Sequence, residues 1–126
     1  MKRIVLVVVV GLVLVALALA LLGSRRNARL EELQKDAETK AAYRRADVYH
    51  KGSEEDKKYL DDLFKYGLEV TRQNLGGLFS PPPSEKDFYL ALYQAMIDEA
   101  KQKGKNEFAR SFRGWVNGQG YGEVKF

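Results

Sequence analysis

The side chains that could do chemistry in this sequence are few and scattered. The chain has no cysteine and a single histidine, His50. Thiolate metal sites, disulfides and cysteine nucleophiles are therefore excluded, and a zinc site or a serine–histidine relay would have to be built around one imidazole. Carboxylates cluster at residues 54–56 and 61–62, but lysines surround them, which is typical of a solvated helix face. We therefore predict a protein that is not an enzyme and that has no cofactor and no metal.

The C-terminal quarter is more basic than the rest of the chain after the apolar segment. Residues 101–126 contain six basic and two acidic side chains, with the rings of Phe108, Phe112 and Trp115 between them. Such a surface can bind anionic lipid headgroups or single-stranded nucleic acid, because the cations neutralise phosphates while the rings insert or stack. The candidate contact residues are Lys101, Lys103, Lys105, Arg110, Arg113 and Trp115. The same rings are needed to close a small helical core, so this reading is an alternative, and nucleic acid is not the partner we expect.

A long apolar segment near the N-terminus decides where these groups are held. Residues 4–22 are 19 residues without a charge, and at about 1.5 Å per residue a helix of this length spans roughly 29 Å, close to the hydrocarbon thickness of a bilayer. Valine-rich segments favour strands in water, but a segment in lipid must pair its own amides, so we expect a helix. The expected membrane-spanning positions include Ile4, Gly11, Ala16, Ala20 and Leu22, and the expected flanking cations are Lys2, Arg3, Arg25, Arg26 and Arg29.

Two other interpretations of this segment compete with an anchor. A cleavable signal peptide would share the Lys2-Arg3 start, and Ala18-Leu19-Ala20 offers a small-residue cleavage pattern. The apolar run is longer than the roughly 7–15 residues of a signal peptide, however, and two arginines follow it, so we favour an uncleaved anchor. A buried core helix is not expected, because the rest of the chain offers too little apolar surface to enclose it.

Membrane orientation follows from counting cations on the two sides. Lys2 and Arg3 precede the apolar segment, and five basic side chains lie in the first twenty residues after it. By a small margin, the positive-inside rule favours a C-terminal domain on the cytoplasmic side.

Residues 24–52 predict a charged stalk helix that continues out of the membrane. Their composition is dominated by alanine, glutamate, lysine and arginine, which favours a helix. Leu30, Leu33, Ala37 and Ala41 share one face of it. This thin stripe leaves two interpretations open, weak self-association through the stalk or a solvated single helix, because a firm coiled coil would place leucine or isoleucine where alanine stands.

Residues 53–126 predict a small bundle of about three helices. Ser53 and Ser84 are each followed by acidic residues, the pattern of a capped helix start. Gly76-Gly77 and Gly104 predict helix ends, and a last short helix is expected from about Asn106 to Val116. A proline-rich connector at 79–84 cannot be helical. The glycine-rich segment from 114 onward should be irregular, with residues 124–126 docking as an extended tail.

The predicted architecture is therefore all-α, with an anchor at 1–23, a stalk at 24–52 and a helical domain at 53–126. A domain of this size is marginally stable alone, so we expect it to be stabilised by partner proteins. We predict a non-enzymatic, single-pass membrane protein that acts as a structural or adaptor subunit of a membrane-associated assembly, such as an envelope complex or a virion membrane. Its expected partners are the lipid bilayer and other protein subunits. The alternatives are an anchored effector whose C-terminal region binds anionic lipid or nucleic acid, and a membrane-acting lysis protein.

Overall fold

The computed structural model describes residues 2–77 and 80–126, and within them the chain forms helices and no strand. The prediction of an all-α fold is confirmed for these residues. The helices are α1 (Lys2–Lys40), a 3-10 turn (Ala42–Arg45), α2 (Asp47–His50), α3 (Glu54–Leu75), α4 (Glu85–Gln102) and α5 (Asn106–Asn117).

Helix α1 runs for 39 residues without a break. Its apolar first part is exposed, whereas its second part buries Leu30, Leu33 and Ala37 in the core of the bundle. The stripe that the sequence placed on a stalk is therefore covered by the chain's own helices.

The predicted stalk over 24–52 is not one helix. Helix α1 ends at Lys40, because Ala41 adopts the left-handed conformation with φ 40° and ψ 48°, and the chain turns back through the 3-10 turn. Tyr43 in this turn is buried and stacks on Phe64 of α3 with ring centroids 4.5 Å apart. Burial of this ring stabilises a turn that the alanine-rich composition does not reveal.

Helices α3 and α4 form the centre of the bundle. They approach closely at Gly67, where an added Cβ would lie 2.8 Å from Met96 Cγ and 2.9 Å from Leu92 Cδ1. The predicted helix starts are confirmed: Ser53 Oγ accepts the Asp56 amide at 3.1 Å, and Ser84 Oγ accepts the Asp87 amide at 3.1 Å. The core side chains contributed by α3, α4 and α5 are Leu60, Leu63, Phe64, Leu68, Phe88, Tyr89, Leu92, Tyr93, Met96, Ile97, Ala100, Ala109, Phe112 and Val116.

The segments that the sequence predicted to be irregular are irregular only in part, because residues 114–117 of the glycine-rich segment are helical and belong to α5. Residues 80–84 are non-helical, with Pro83 buried. Phe79, the first residue of the predicted connector, lies outside the described residues, as does Leu78 before it. Residues after Asn117 form turns and an extended tail, and Val124 is buried. The predicted docking of this tail is therefore confirmed.

Candidate membrane interface

The apolar part of α1 has no protein surroundings. In residues 4–22 every large apolar side chain except Leu19 is exposed, by 44–70%. Within residues 2–77 and 80–126, one helix is long and apolar enough to cross a bilayer, and the 18-residue window that meets this test has a mean hydropathy of 3.4 with no part of it buried in the bundle. A core helix of a water-soluble domain would instead be mostly covered.

The residues predicted to span the membrane all lie on this exposed part. Ile4 and Leu22, at its two ends, are 70% and 44% exposed. An added Cβ at Gly11 would meet nothing within 4 Å, and Ala16 and Ala20 are exposed as well. The predicted flanking cations Lys2, Arg3 and Arg25 are also exposed.

The other two flanking cations are fastened to the bundle. Arg26 is almost fully buried, and its Nη1 donates to the carbonyl oxygen of Gly77. Arg29 Nε donates to the carbonyl oxygen of Pro83 at 3.2 Å, and its Nη1 donates to Glu32 at 3.0 Å. Hydrogen bonds from a guanidinium are among the stronger ones in proteins. They tie the segment between α3 and α4 to α1, directly beyond the apolar residues.

Further along α1, two polar contacts fix the bundle's orientation on the helix. Tyr89 of α4 donates its hydroxyl to Asp36 at 2.7 Å, and Arg72 of α3 donates to Gln34 Oε1 at 3.0 Å. The Tyr89 hydrogen bond lowers the pKa of Asp36, and burial, followed by Asp36, raises the pKa of Tyr89. Helix α1 is thus joined to both central helices, as well as to the loop between them.

Sequence reasoning did not find these contacts. The pairs Arg26–Gly77, Arg29–Pro83 and Tyr89–Asp36 join residues more than 50 positions apart. The only local signal was that the arginines follow the apolar segment, and that signal was interpreted as membrane flanking alone.

Three of the basic side chains predicted to contact an anionic partner contact the chain's own C-terminal tail. Lys101 Nζ donates to the carbonyl oxygen of Phe126 and lies 4.6 Å from the centroid of its ring. Arg110 Cζ lies 4.9 Å from the same centroid, and Arg113 Nε donates to the carbonyl oxygen of Val124 at 2.9 Å. Their charges serve the fold of this chain.

The remaining residues of this predicted surface also have contacts within the chain. Lys103 pairs with Glu99 at 3.8 Å, and Lys105 lies 4.2 Å from the Tyr59 ring centroid. The ring of Trp115 stacks on Phe112 with centroids 5.6 Å apart. Lys103, Lys105 and Arg110 remain exposed, Phe112 is buried in the core, and Phe108 and Trp115 are half-buried against it.

Outside these contacts, Tyr43, Tyr49 and Arg44 meet at the carboxylate of Asp61, at 2.5, 3.3 and 3.6 Å. Residues 2–77 and 80–126 contain no group of three histidine, cysteine or acidic side chains placed to hold a metal ion. His50 lies exposed at the end of α2, where its Nε2 is 3.0 Å from Asp47 Oδ1.

No protein-family model matches the chain, and neither a curated protein nor a solved structure matches it. Function is therefore inferred from the chain's own residues.

Proposed function

We propose that this chain is a single-pass membrane protein that presents a small helical module at the bilayer surface, as a non-enzymatic structural or adaptor subunit of a membrane-associated assembly. One observation carries the proposal: α1 is a single unbroken helix whose residues 4–22 are exposed and apolar and whose residues Leu30, Leu33 and Ala37 are buried in the module. The exposed apolar part needs lipid around it, and the helix leaves no flexible joint before the module.

The length of the helix sets the height of the module above the membrane. Arg26 lies four positions after Leu22, which corresponds to about 6 Å along a helix. The headgroup layer on each side of a bilayer is about 5–8 Å thick. With residues 4–22 in the hydrocarbon, Gly77, which accepts a hydrogen bond from Arg26, lies at the level of the headgroups. Pro83, which accepts a hydrogen bond from Arg29, lies just outside them, about 10 Å along the helix from Leu22, so the module sits on the membrane surface.

A fixed orientation suits an adaptor better than a free stalk would. The contacts of α1 with α3, α4 and the loop between them hold the module in one pose. A partner anchored in the same membrane then meets the same face of the module each time, which lowers the entropy lost on association. We place this module on the cytoplasmic side, in line with the cation count.

Membrane attachment and sidedness can be tested with one reporter. The chain has no cysteine, so the variant Ser111→Cys carries a single thiol at an exposed position of α5. We expect the full-length chain to stay with membranes in alkaline carbonate and to react with a membrane-impermeant maleimide only after the cells are opened. The matched control is Val116→Cys on the same helix, whose position is buried and should react only after denaturation.

Four outcomes would count against the proposal. A mature chain that begins after Ala20 would show that the segment is a signal peptide, and release by carbonate would show that it is not an anchor. Rapid labelling in intact cells would place the module on the other side. For the subunit role, a monodisperse and folded monomer with no co-purifying protein in mild detergent would argue against an assembly.

A further inference from the structure

The C-terminal tail, residues 118–126, lies along a groove between α4 and α5 whose side chains hold its backbone. Gln94 of α4 donates Nε2–H to the carbonyl oxygen of Lys125 and accepts the amide of Lys125, both at 2.8 Å. A primary amide can do this because it presents a donor and an acceptor side by side. One side chain thus satisfies both backbone groups of a tail residue.

Helix α5 holds the neighbouring tail residue in the same way. Asn117 Oδ1 accepts the amide of Val124 at 2.9 Å, and Arg113 Nε donates to the carbonyl oxygen of Val124 at 2.9 Å. Four hydrogen bonds therefore hold two consecutive residues, much as a sheet edge holds an added strand. The Val124 side chain is 1% exposed. The groove is thus built for an extended segment with an apolar side chain at this position.

A glycine-rich hinge joins the tail to α5. Gly120 and Gly122 have φ values of +88° and +125°, a region that other residues rarely adopt. This bend turns the tail back over its own helices. Tyr121, between the two glycines, stacks on Tyr89 of α4 with ring centroids 4.7 Å apart, so this ring has to be exchanged together with the tail. The residue free to straighten is Gly120, where an added Cβ would meet nothing within 4 Å and where glycine adopts extended conformations readily.

We propose that this tail is exchanged between copies of the chain, so that the tail of one copy fills the groove of a second copy in the same membrane. An exchanged tail keeps all four backbone hydrogen bonds and the Val124 pocket, so only the hinge conformation and the entropy of pairing differ between the two states. The tail of another copy has the same sequence as the tail that occupies the groove in this structure, so it can make the same contacts. The inference uses the proposed anchor, because confinement to one membrane raises the effective concentration of neighbouring copies.

Complementation between two defective full-length chains provides the first test. One chain carries Gln94→Ala and Arg113→Ala, which weaken the groove and leave the tail intact. The other carries Val124→Asp, which disables the tail and leaves the groove intact. We expect energy transfer between dye-labelled copies when the two are reconstituted together in phosphatidylcholine vesicles, and background transfer when either is present alone. Background transfer in the mixture would overturn the exchange.

A hinge substitution provides a second test that does not disturb the groove. Gly120→Ala places a side chain at positive φ, where it meets nothing within 4 Å, so it strains the closed bend without a clash. This strain should raise the ratio of dimer to monomer in mild detergent on the order of tenfold. The control Gly118→Ala has φ −81° and ψ −6°, which alanine adopts freely, and should leave the ratio unchanged. Equal ratios for the two variants, or a monomer with a tail released to trypsin at Lys125, would contradict the proposal.

Carbonate extraction of the same samples separates this inference from the proposed function. Chains that remain in the membrane but fail both tests would leave the anchor standing and remove the exchange. Chains that are washed off the membrane yet complement each other in solution would do the reverse.

Discussion

The two parts of helix α1 share one backbone but face different surroundings. Residues 4–22 are apolar around the whole circumference, whereas the part that packs on the module is apolar only along Leu30, Leu33 and Ala37, with Glu31, Lys35 and Glu38 on its other faces. A helix that is hydrophobic all round needs an apolar medium on every side, and one with a single stripe needs a neighbour on one side only. The distribution of apolar residues around the helix, more than their number, distinguishes the part that is exposed on all sides from the part that packs on the module.

The junction between the two parts has features of both. Arg26 and Arg29 follow the apolar segment, as flanking cations do, and each also donates a hydrogen bond to a carbonyl oxygen of the segment between α3 and α4. Burial of Arg26 shows that this position is part of the module's packing. A cation that follows a long apolar segment can therefore stabilise the fold, whatever its part in membrane topology.

The largest expected difference between the two parts comes from shortening a leucine in each. Leu33→Ala in the packed part removes a 3% exposed side chain from the core and should lower the free energy of unfolding of the module by about 2–5 kcal/mol. Leu14→Ala in the apolar part, where the side chain is 61% exposed, should leave module stability unchanged. Trp115 is the only tryptophan and no aromatic residue precedes Tyr43, so denaturation followed by tryptophan fluorescence in micelles reports on the module alone. Equal losses would show that the two parts are not separate environments.

A charge in the middle of the apolar part should weaken membrane insertion and leave the stability of the module unchanged. Val13 is the central residue of 4–22, and Val13→Arg should disfavour insertion by about 2.5–3.5 kcal/mol on the scale measured for helix centres. We expect more of the chain to be extracted by carbonate while the fluorescence transition of the module stays in place. Val13→Leu is the matched control and should remain membrane-bound. If Val13→Arg unfolded the module, the apolar part would have to be packed against protein.

Glycine substitutions compare the two environments with a single methyl group. Gly67→Ala should destabilise the module by about 1–3 kcal/mol, because the new Cβ would overlap Met96 and Leu92 and this outweighs the gain of up to about 1 kcal/mol in helix propensity. Gly11→Ala in the apolar part meets nothing within 4 Å and should not alter module unfolding. A module that tolerated Gly67→Ala would argue against close packing of α3 on α4.

Local signals in the sequence predicted the elements that depend on local physics. The apolar run of residues 4–22, the serine caps at 53 and 84 and the stop at Gly104 each lie within a few residues of the effect that they produce. The end of α1 at Lys40 could not be predicted in this way. Ala41 and its neighbours favour a helix by propensity, whereas the turn is stabilised by distant partners of Tyr43, which stacks on Phe64 and donates a hydrogen bond to Asp61.

The basic C-terminal region illustrates a similar limit for the candidate site. Its positive charge is a property of the sequence, but the use of that charge depends on where the tail lies. Lys101, Arg110 and Arg113 each contact Val124 or Phe126 after the chain reverses through the glycine hinge. The acceptors of these cations are backbone carbonyl oxygens and the ring of Phe126, which carry no net charge. A count of charged residues in the sequence therefore cannot show that the cations have partners within the chain.

The smallest expected difference between the two parts of α1 is in their response to alkaline pH, which should lower the stability of the module and leave the apolar part unaffected. Residues 4–22 have no ionisable side chain, whereas the turn after the packed part buries Tyr43, whose hydroxyl donates to Asp61 at 2.5 Å. Burial, and then the Asp61 carboxylate, raise the pKa of Tyr43 to about 12. The neutral phenol therefore contributes its full stability below pH ~10, where an unfolded tyrosine begins to ionise. That contribution is lost as pH rises from about 10 to 12.

Tyr43→Phe should lower module stability by about 1 kcal/mol at neutral pH, through loss of the hydrogen bond, and should make the decline above pH ~10 shallower. The decline should persist in part, because burial also raises the pKa of Tyr89 and Tyr93. Tyr49→Phe is the matched control, since its hydroxyl lies 3.3 Å from the other oxygen of Asp61 and its loss should cost less at neutral pH. The checks are fluorescence-detected unfolding between pH 7 and pH 12 and flotation of the vesicles at each pH. Detachment from vesicles in step with module unfolding would mean that the apolar part relies on the module for its place in the bilayer.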